Sequence, residues 1–412
     1  MADDNSVTFC RNASPNRWAV IADDLTGACD TGAIFAQKGF STVVILDRRL
    51  VLRTCPQMTV LTTGSRNDNA GCAHHKVLQA CRYLKNRNRN LLYKKIDSTL
   101  KGNIVAEVQV AAKAAGFTRI LFCPAYPAQG RQVRHGTLYV RGQRLAELRS
   151  LFSVRPDCAI AEIHRPVSRK KIARAIREGS TWILSDAETD RDLRCLVTTA
   201  DDSTKRVLLA GSGGLTTQVA ECLRKLTSTA TARRNSAKDA SNLNDRTNAQ
   251  PIELKSVPPL IFSGSRNSVT EHQIDRLVRS RKARVCPLSG LAGAAVQDLL
   301  AKDHVVVLRV PIYDRPDSWI RHELNSLASI LSPQCLSSLV LIGGDTASLI
   351  LRWLSAKAIH LHGEIAPGIP WGRILGGRLN GVLLSTKAGG FGQPDTLIRV
   401  AKFLTLPEHF AV

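Results

Sequence analysis

Acidic side chains are in short supply: 34 Asp and Glu stand against 57 Lys and Arg, a formal charge of +23 on 412 residues. Aromatics make up only 5%. The cations are scattered in pieces such as RSRKAR and SRKK, and no nucleic-acid-binding motif or stacking aromatics accompany them. The surplus therefore reads as a basic surface attractive to phosphate-bearing small molecules, with nucleic acid set aside. No run of eighteen apolar residues occurs, so no membrane span is expected. The opening MADDNSVTFCRNASPNRW carries acids and polar residues where a secretory leader needs an apolar stretch, and a cytoplasmic address follows as the expectation.

Other absences narrow the chemistry. The eleven cysteines include no CxxC pair, so no zinc cluster is expected, and reduced structural thiols are the reading. No Gly-Lys pair exists, which removes the GxxxxGK[ST] phosphate loop. GxGxxG, HExxH and GxSxG are missing as well, so dinucleotide dehydrogenase, zinc protease and nucleophile-elbow readings have no support.

What is present is a rhythm of short β-branched runs alternating with amphipathic helices, the pattern of parallel βαβ units. Strands are expected at Trp18–Ala22, Thr42–Leu46, Leu91–Ile96, Arg119–Cys123 and Arg206–Ala210. Further strand–loop–helix units are expected at Leu260–Ser263, Leu339–Ile342 and Val382–Ser385. Helices are expected from Thr26 or Ala28 to Lys38, from Asn103 to Ala115 and from Leu215 to Leu226. With 44% apolar and 22% charged residues, the chain has enough material for two cores. Between Thr227 and Pro258 the pattern collapses into a polar stretch without large apolar residues. The expected organisation is a domain at 1–226, a linker at 227–258 and a second domain at 259–412. Each is expected to be α/β, a mainly parallel sheet flanked by helices.

In parallel sheets, ligands bind beyond the carboxyl ends of strands. IADDLTGACDTG places Asp23 and Asp24 there, with Thr26, Gly27 and Asp30 opening a helix. Adjacent carboxylates suit a base or a hydroxyl acceptor, and the plainer alternative is that one of them caps the helix. Because neighbouring strand residues face opposite ways, the two Asp are expected to do different jobs. YKKIDSTLKGN gathers Lys94, Lys95, Asp97, Ser98, Thr99 and Lys101 at a second strand end, a set suited to an anionic, hydroxylated ligand. TTGSRN brings Arg66, a candidate clamp for a carboxylate. CPAYPAQGRQVRHG brings Arg131 and His135 in a loop that is also readable as plain surface. Toward the C-terminus, SGSRNSVT, IGGDTASLI and TKAGGFGQPDTL each follow a short strand. Their glycines free main-chain N–H groups for phosphate oxygens.

These segments resemble the four-carbon acid sugar kinase family. IADDLTGACDTG resembles its ADD-TG-ND-TG opening, KKIDSTLKGN its K-DST-RGN segment and PAYPAQGR its PA-PAQGR. GSGGL, SGSRNSVT, IGGDTA, GEIAPGIPWGR and TKAGGFGQPDTL resemble its C-terminal elements in the same order. Departures are Cys29 where the family has Asn, Lys101 where it has Arg, and AELRSLFSVRPDCAI where it shows an acidic Asp-Pro segment. The resemblance implies an N-terminal acid-sugar domain, a C-terminal ATP domain and an active site in the cleft between them. It implies that ATP, with Mg²⁺, phosphorylates the terminal hydroxyl of threonate, erythronate or 3-oxo-tetronate. Carried onto this chain, the catalytic residues are Asp24 and Asp23. Substrate contacts fall on Asp24, Arg66, Lys95, Ile96, Asp97 and Ser98. ATP contacts fall on Ser263, on Gly343, Gly344, Asp345 and Thr346, and on Gly389 and Gly390. The alternative is a nucleotide-binding or regulatory protein of the same fold with impaired catalysis.

Overall fold

A computed structural model describes residues 17–52, 54–153, 158–235, 257–280, 283–290 and 293–405, the stretch 228–235 by backbone alone. The chain separates into two compact units, Met1–Thr42 with Thr54–Leu243, and Val43–Arg53 with Asn244–Val412.

The first part of the chain runs β1 (Trp18–Ala22), α1 (Leu25–Gln37), β2 (Thr42–Ile45), β3 (Met58–Thr62) and α2 (Ala70–Asn86). It continues through β4 (Asn90–Lys95), α3 (Ile104–Ala114) and β5 (Arg119–Cys123). A short antiparallel sheet follows, β6 (Arg131–Arg134), β7 (Thr137–Val140) and β8 (Gln143–Glu147). Then come β9 (Ile160–Ile163), α4 (Arg169–Arg177), β10 (Trp182–Ser185), α5 (Asp190–Asp201), β11 (Val207–Gly211) and α6 (Gly213–Asn235).

The first unit's main sheet has the order β3-β1-β4-β11-β5-β10-β9, with every pairing parallel. Helices cover both faces, α1 packing with α6 and α2 with α3. Strands buried on two sides carry apolar residues almost without interruption, as WAVIA of β1 does. From β1 the chain reaches β3 on one side and then crosses to β4 on the other. The switch in direction opens a crevice at the carboxyl ends of β1 and β4.

The second unit contains β12 (Leu260–Ser263), α7 (Ser268–Arg279), β13 (Ala283–Pro287), α8 (Gly293–Ala301), β14 (Val305–Arg309) and α9 (Asp317–Ser326). It closes with β15 (Ser338–Ile342), α10 (Gly344–Trp353), β16 (Ala358–Ala366), β17 (Ile369–Leu375), β18 (Leu383–Lys387) and α11 (Thr396–Thr405). The order is β13-β14-β12-β15-β18-β17-β16, parallel through β18 and antiparallel across β17 and β16. Here the direction reverses between β12 and β15, giving a second crevice of the same kind.

Three features differ from the sequence reading. The stretch Val43–Arg53, expected in the first domain, belongs with the second unit. There β2 lies beside β16, Leu46 and Asp47 donate to the Lys357 carbonyl, and the Lys357 ammonium meets Asp47 at 2.8 Å. Helix α6 runs on to Asn235, past the expected end at Leu226. The rest of the expected linker, from 236 to 256, lies outside the described residues. Finally, GSGGL, aligned above with C-terminal elements, sits in the first unit where β11 turns into α6.

Candidate functional site: two crevices

The first crevice is built on side chains. β1 delivers Asp23 and Asp24 in succession, and alternation separates their roles. Asp24, extended at φ −136° and ψ 168°, caps α1: its Oδ1 accepts from the Gly27 N–H at 2.8 Å and its Oδ2 from the Thr26 hydroxyl at 2.6 Å. Asp23 takes the fork of Arg66, with Nε and Nη2 at 2.7 and 3.0 Å from its two oxygens. Arg66 Nη2 also reaches Asp24 Oδ1 at 2.9 Å, and Nη1 stands 3.4 Å from Asp97. Three carboxylates thus surround one guanidinium. Burial works against the Arg66 charge, but Asp24, Asp23 and Asp97 outweigh it and hold its pKa above the ordinary value. The expected clamp for a substrate carboxylate is occupied by the protein's own acids.

β4 supplies the opposite wall. Lys94 faces the α2/α3 layer, where a fully buried ion pair at 2.9 Å joins it to Glu107, which accepts from Ser65 at 2.7 Å. Lys95, one residue on, faces α1. Its ammonium donates to the Ile96 carbonyl at 3.0 Å and lies 3.1 Å from where a Cβ on Gly27 would stand. That same Cβ would come within 2.6 Å of Asp24 Oδ1, so the close approach of Lys95 and Asp24 requires glycine here. Asp97 folds the following turn by accepting from the Thr99 and Lys101 N–H groups at 2.9 and 3.2 Å. Burial opposes its charge, yet Arg66 and the Thr99 hydroxyl keep its carboxyl below the usual range. Ser98 is buried at the turn, and Ile96 is buried with its main-chain N–H bonded to Gly211 O.

Burial raises the pKa of Asp24, Arg66 pulls it back and Asp23 adds to the rise. Behind it, Asp30 sits inside α1 at 4% exposure, with Oδ1 lacking any hydrogen-bond partner. Burial pushes its pKa up to about 6, against the pull of Lys95. The sequence reading noted Asp30 only as part of a helix opening. The signal was a lone carboxylate in an eleven-residue run that is buried throughout, from Leu25 to Phe35.

The second crevice is built on main chain. Gly343 adopts φ 101° and ψ 135°, accessible to glycine alone, and leaves the N-terminus of α10 without a side-chain cap. The first turn of α10, from Gly344 to Thr346, therefore starts without a side-chain cap. Three loops converge there. A Cβ on Gly264 would lie 2.3 Å from Thr346 Oγ1, and one on Gly389 would lie 2.3 Å from Ser265 Oγ. Gly390 approaches the Asn267 amide at 3.5 Å by the same measure. Two buried hydroxyls, Ser263 Oγ and Thr386 Oγ1, have no hydrogen-bond partner. A helix start without a side-chain cap, approached by glycine-rich loops, suits an anion with several oxygens.

Lys387, which the sequence reading passed over, ends β18 at 1% exposure. It donates to Thr270 Oγ1, Ala388 O and Gly389 O at 3.0, 3.1 and 3.1 Å, pinning the glycine loop to the start of α7. Burial brings its pKa down to about 7. Among the described residues no group of three or more His, Cys, Asp or Glu side chains could hold a metal ion. The ten described cysteines are free thiols, and no helix among the described residues is long and apolar enough to cross a membrane.

The chain thus has two α/β units, one with a crevice of carboxylates and ammonium groups and one with a crevice of main-chain donors. A sugar-binding N-terminal domain model matches residues 18–219, and a nucleotide-binding C-terminal domain model matches residues 312–397. The D-threonate kinase of Bordetella bronchiseptica is 30% identical over 419 aligned positions, covering 93% of this chain and 96% of that protein. The 3-oxo-tetronate kinase of Pseudomonas fluorescens is 26% identical, covering 91% and 94%. A crystal structure from Salmonella typhimurium LT2, described as a tRNA synthase, shares the fold at a TM-score of 0.70 and 21% identity, covering 93% of this chain and 98% of that one. The chain belongs to the four-carbon acid sugar kinase family.

Proposed function

We propose that the protein transfers the γ-phosphoryl group of ATP to the terminal hydroxyl of a four-carbon acid sugar, with threonate, erythronate and 3-oxo-tetronate as the candidate acids. The observation that carries this reading is the convergence of the Ser263–Asn267, Gly343–Thr346 and Lys387–Gly390 segments on an uncapped helix start. Backbone donors in that arrangement favour a polyphosphate over a carboxylate, because they offer several N–H groups to several oxygens.

In this reading Asp24 is the base. Its raised pKa makes it a better proton acceptor than an ordinary surface carboxylate. The hydroxyl proton passes to Asp24, the hydroxyl oxygen bonds to the γ-phosphorus, and the bond to the β-phosphate oxygen breaks to release ADP. Asp23 positions Asp24 through their shared guanidinium, Arg66. The acid's carboxylate enters beside Arg66 Nη1, whose contact to Asp97 at 3.4 Å is the longest the guanidinium makes with the three acids. Lys95, held against Gly27, neutralises charge next to Asp24, and Ser98 with the main chain at Ile96 and Asp97 completes the acid pocket. Direct transfer requires the hydroxyl and the γ-phosphorus to come within about 3–3.5 Å.

Mg²⁺, when bound, would neutralise the phosphates. It generally needs only one or two protein carboxylates besides them, and the exposed Asp345 in the first turn of α10 is of the right type. A reaction drawing on ATP, with the ten described cysteines as free thiols, fits the cytoplasm.

The test is ADP release by the purified protein with ATP, Mg²⁺ and each stereoisomer of the candidate acids. Turnover with one or more acids is expected. Tight ADP binding with no turnover on any of them would shift the reading to a nucleotide-binding regulator.

A further inference from the structure

On the far side of β12 from α10, a cavity of about 430 Å³ opens at the carboxyl ends of β12, β13 and β14. It adjoins the phosphate crevice, because Gly264 and Ser265, which approach Thr346 and Gly389 there, also line the cavity. Its floor is apolar, with Leu288 and Val310 buried at 1% and 4% exposure. Its outer wall is flat and aromatic. Tyr313 is 61% exposed, with the Arg266 guanidinium 5.1 Å from its ring centre, and Trp319 carries Arg315 at 5.2 Å.

The acids on the wall are already neutralised. Glu271 holds both terminal nitrogens of Arg309 at 2.6 Å, and Asp314 pairs with Arg266. A second anion would find its cations engaged, whereas a neutral, planar, partly polar group would find an apolar floor and ring faces. Volumes of this order are typical of small-molecule sites. Starting from phosphates at α10, the cavity continues directly along the Ser263–Arg266 strand end.

We propose that this cavity takes the nucleoside half of the phosphate donor, with the base against Tyr313 and Trp319. The proposal rests on the phosphate crevice being the donor site, and it adds where the rest of the donor lies. An exposed tyrosine on a soluble surface then has a purpose, since a nucleobase would cover it. Base–aromatic contacts of this kind tolerate any π face, so the cavity sets affinity more than base identity.

The full-length protein is titrated with ADP and, separately, with inorganic tripolyphosphate, and is photolabelled with 8-azido-ADP and mapped by peptide mass spectrometry. Tyr313→Ala and Trp319→Ala should each weaken ADP about tenfold, the scale of one base–aromatic contact. Neither should change what tripolyphosphate does, and Tyr313→Phe should restore ADP binding. The photolabel should fall within residues 309–319. Label elsewhere, or unchanged ADP affinity in both alanine variants, overturns the nucleoside assignment while leaving the phosphate crevice standing. ADP binding that survives Gly344→Val would instead remove the phosphate crevice, whatever Tyr313 does. Equal losses for ADP and tripolyphosphate would mean the alanine variants only distort the shared loop, and would also count against the proposal.

Discussion

In the first unit the crevice is furnished with side chains; in the second it is furnished with main chain. Both lie where the strand order reverses, between β1 and β4 in one and between β12 and β15 in the other. The first gathers Asp23, Asp24, Asp30, Arg66, Lys95 and Asp97, so its charge depends on a balance among ionised groups. The second relies on a bare helix start and glycine-permitted approaches, with one buried lysine bracing the loop. Side chains can match the hydroxyls and carboxylate of one particular acid. Amides grip phosphate oxygens, which every triphosphate shares.

This division can be broken by mutation. Asp24→Asn should reduce turnover by about 10²–10⁴-fold, the usual contribution of a general base, with ADP affinity in calorimetry unchanged. Lys95→Ala should act in the same direction. Gly344→Val, which places a branched side chain at the open start of α10, should lower ADP affinity by at least about a hundredfold and leave acid binding intact. If it disturbed acid binding equally, the separation of labour would be wrong.

Asp30 sharpens the contrast through stability. Burial holds its carboxyl at about 6 in the folded protein, against about 3.9 for an ordinary aspartate in the unfolded chain. Between those values the folded state holds the extra proton, so stability falls as pH rises through this window. Above it the full penalty remains. Asp30→Asn should therefore raise unfolding free energy at pH 8 by on the order of 2–3 kcal/mol, and by nothing below pH 4, in paired denaturant titrations. An unchanged difference across the whole pH range would mean that Lys95 compensates its charge completely.

The smallest expected effect belongs to Lys387. Its ammonium, pushed down to about 7 by burial, loses its charge as pH rises through neutrality. ADP affinity should weaken a fewfold between pH 6 and pH 8, and Lys387→Met should flatten that profile. A slope that persists in the variant would assign the titration to the nucleotide or to another group.

Much of this was legible beforehand for a physical reason. A buried parallel strand is a short apolar run with a polar loop at its end, so β1, β5 and β12 are found at the expected residues. The same loops carry the ligand chemistry, which is why Asp23, Asp24, Lys95 and Gly343 could be picked out together. The antiparallel pair β16 and β17 was missed because GEIAPGIPWGR, rich in Gly and Pro, reads as a loop. Arg66 was found without its neighbours: a sequence shows a guanidinium but not the three acids that reach it. Lys387 escaped because it is the last residue of VLLSTK, where a lysine normally marks a solvated strand end. The allegiance of Val43–Arg53 has no local signature at all, since a strand's composition does not say which sheet it joins.

That allegiance has a practical outcome. Anyone isolating the nucleotide half by cutting at the polar stretch after α6 would leave β2 behind on the other fragment. β16 would then present unpaired main-chain groups where β2 had lain, a template for self-association. A piece beginning at residue 257 should therefore oligomerise more readily than the same piece with Thr42–Ile45 supplied in a fused or added peptide.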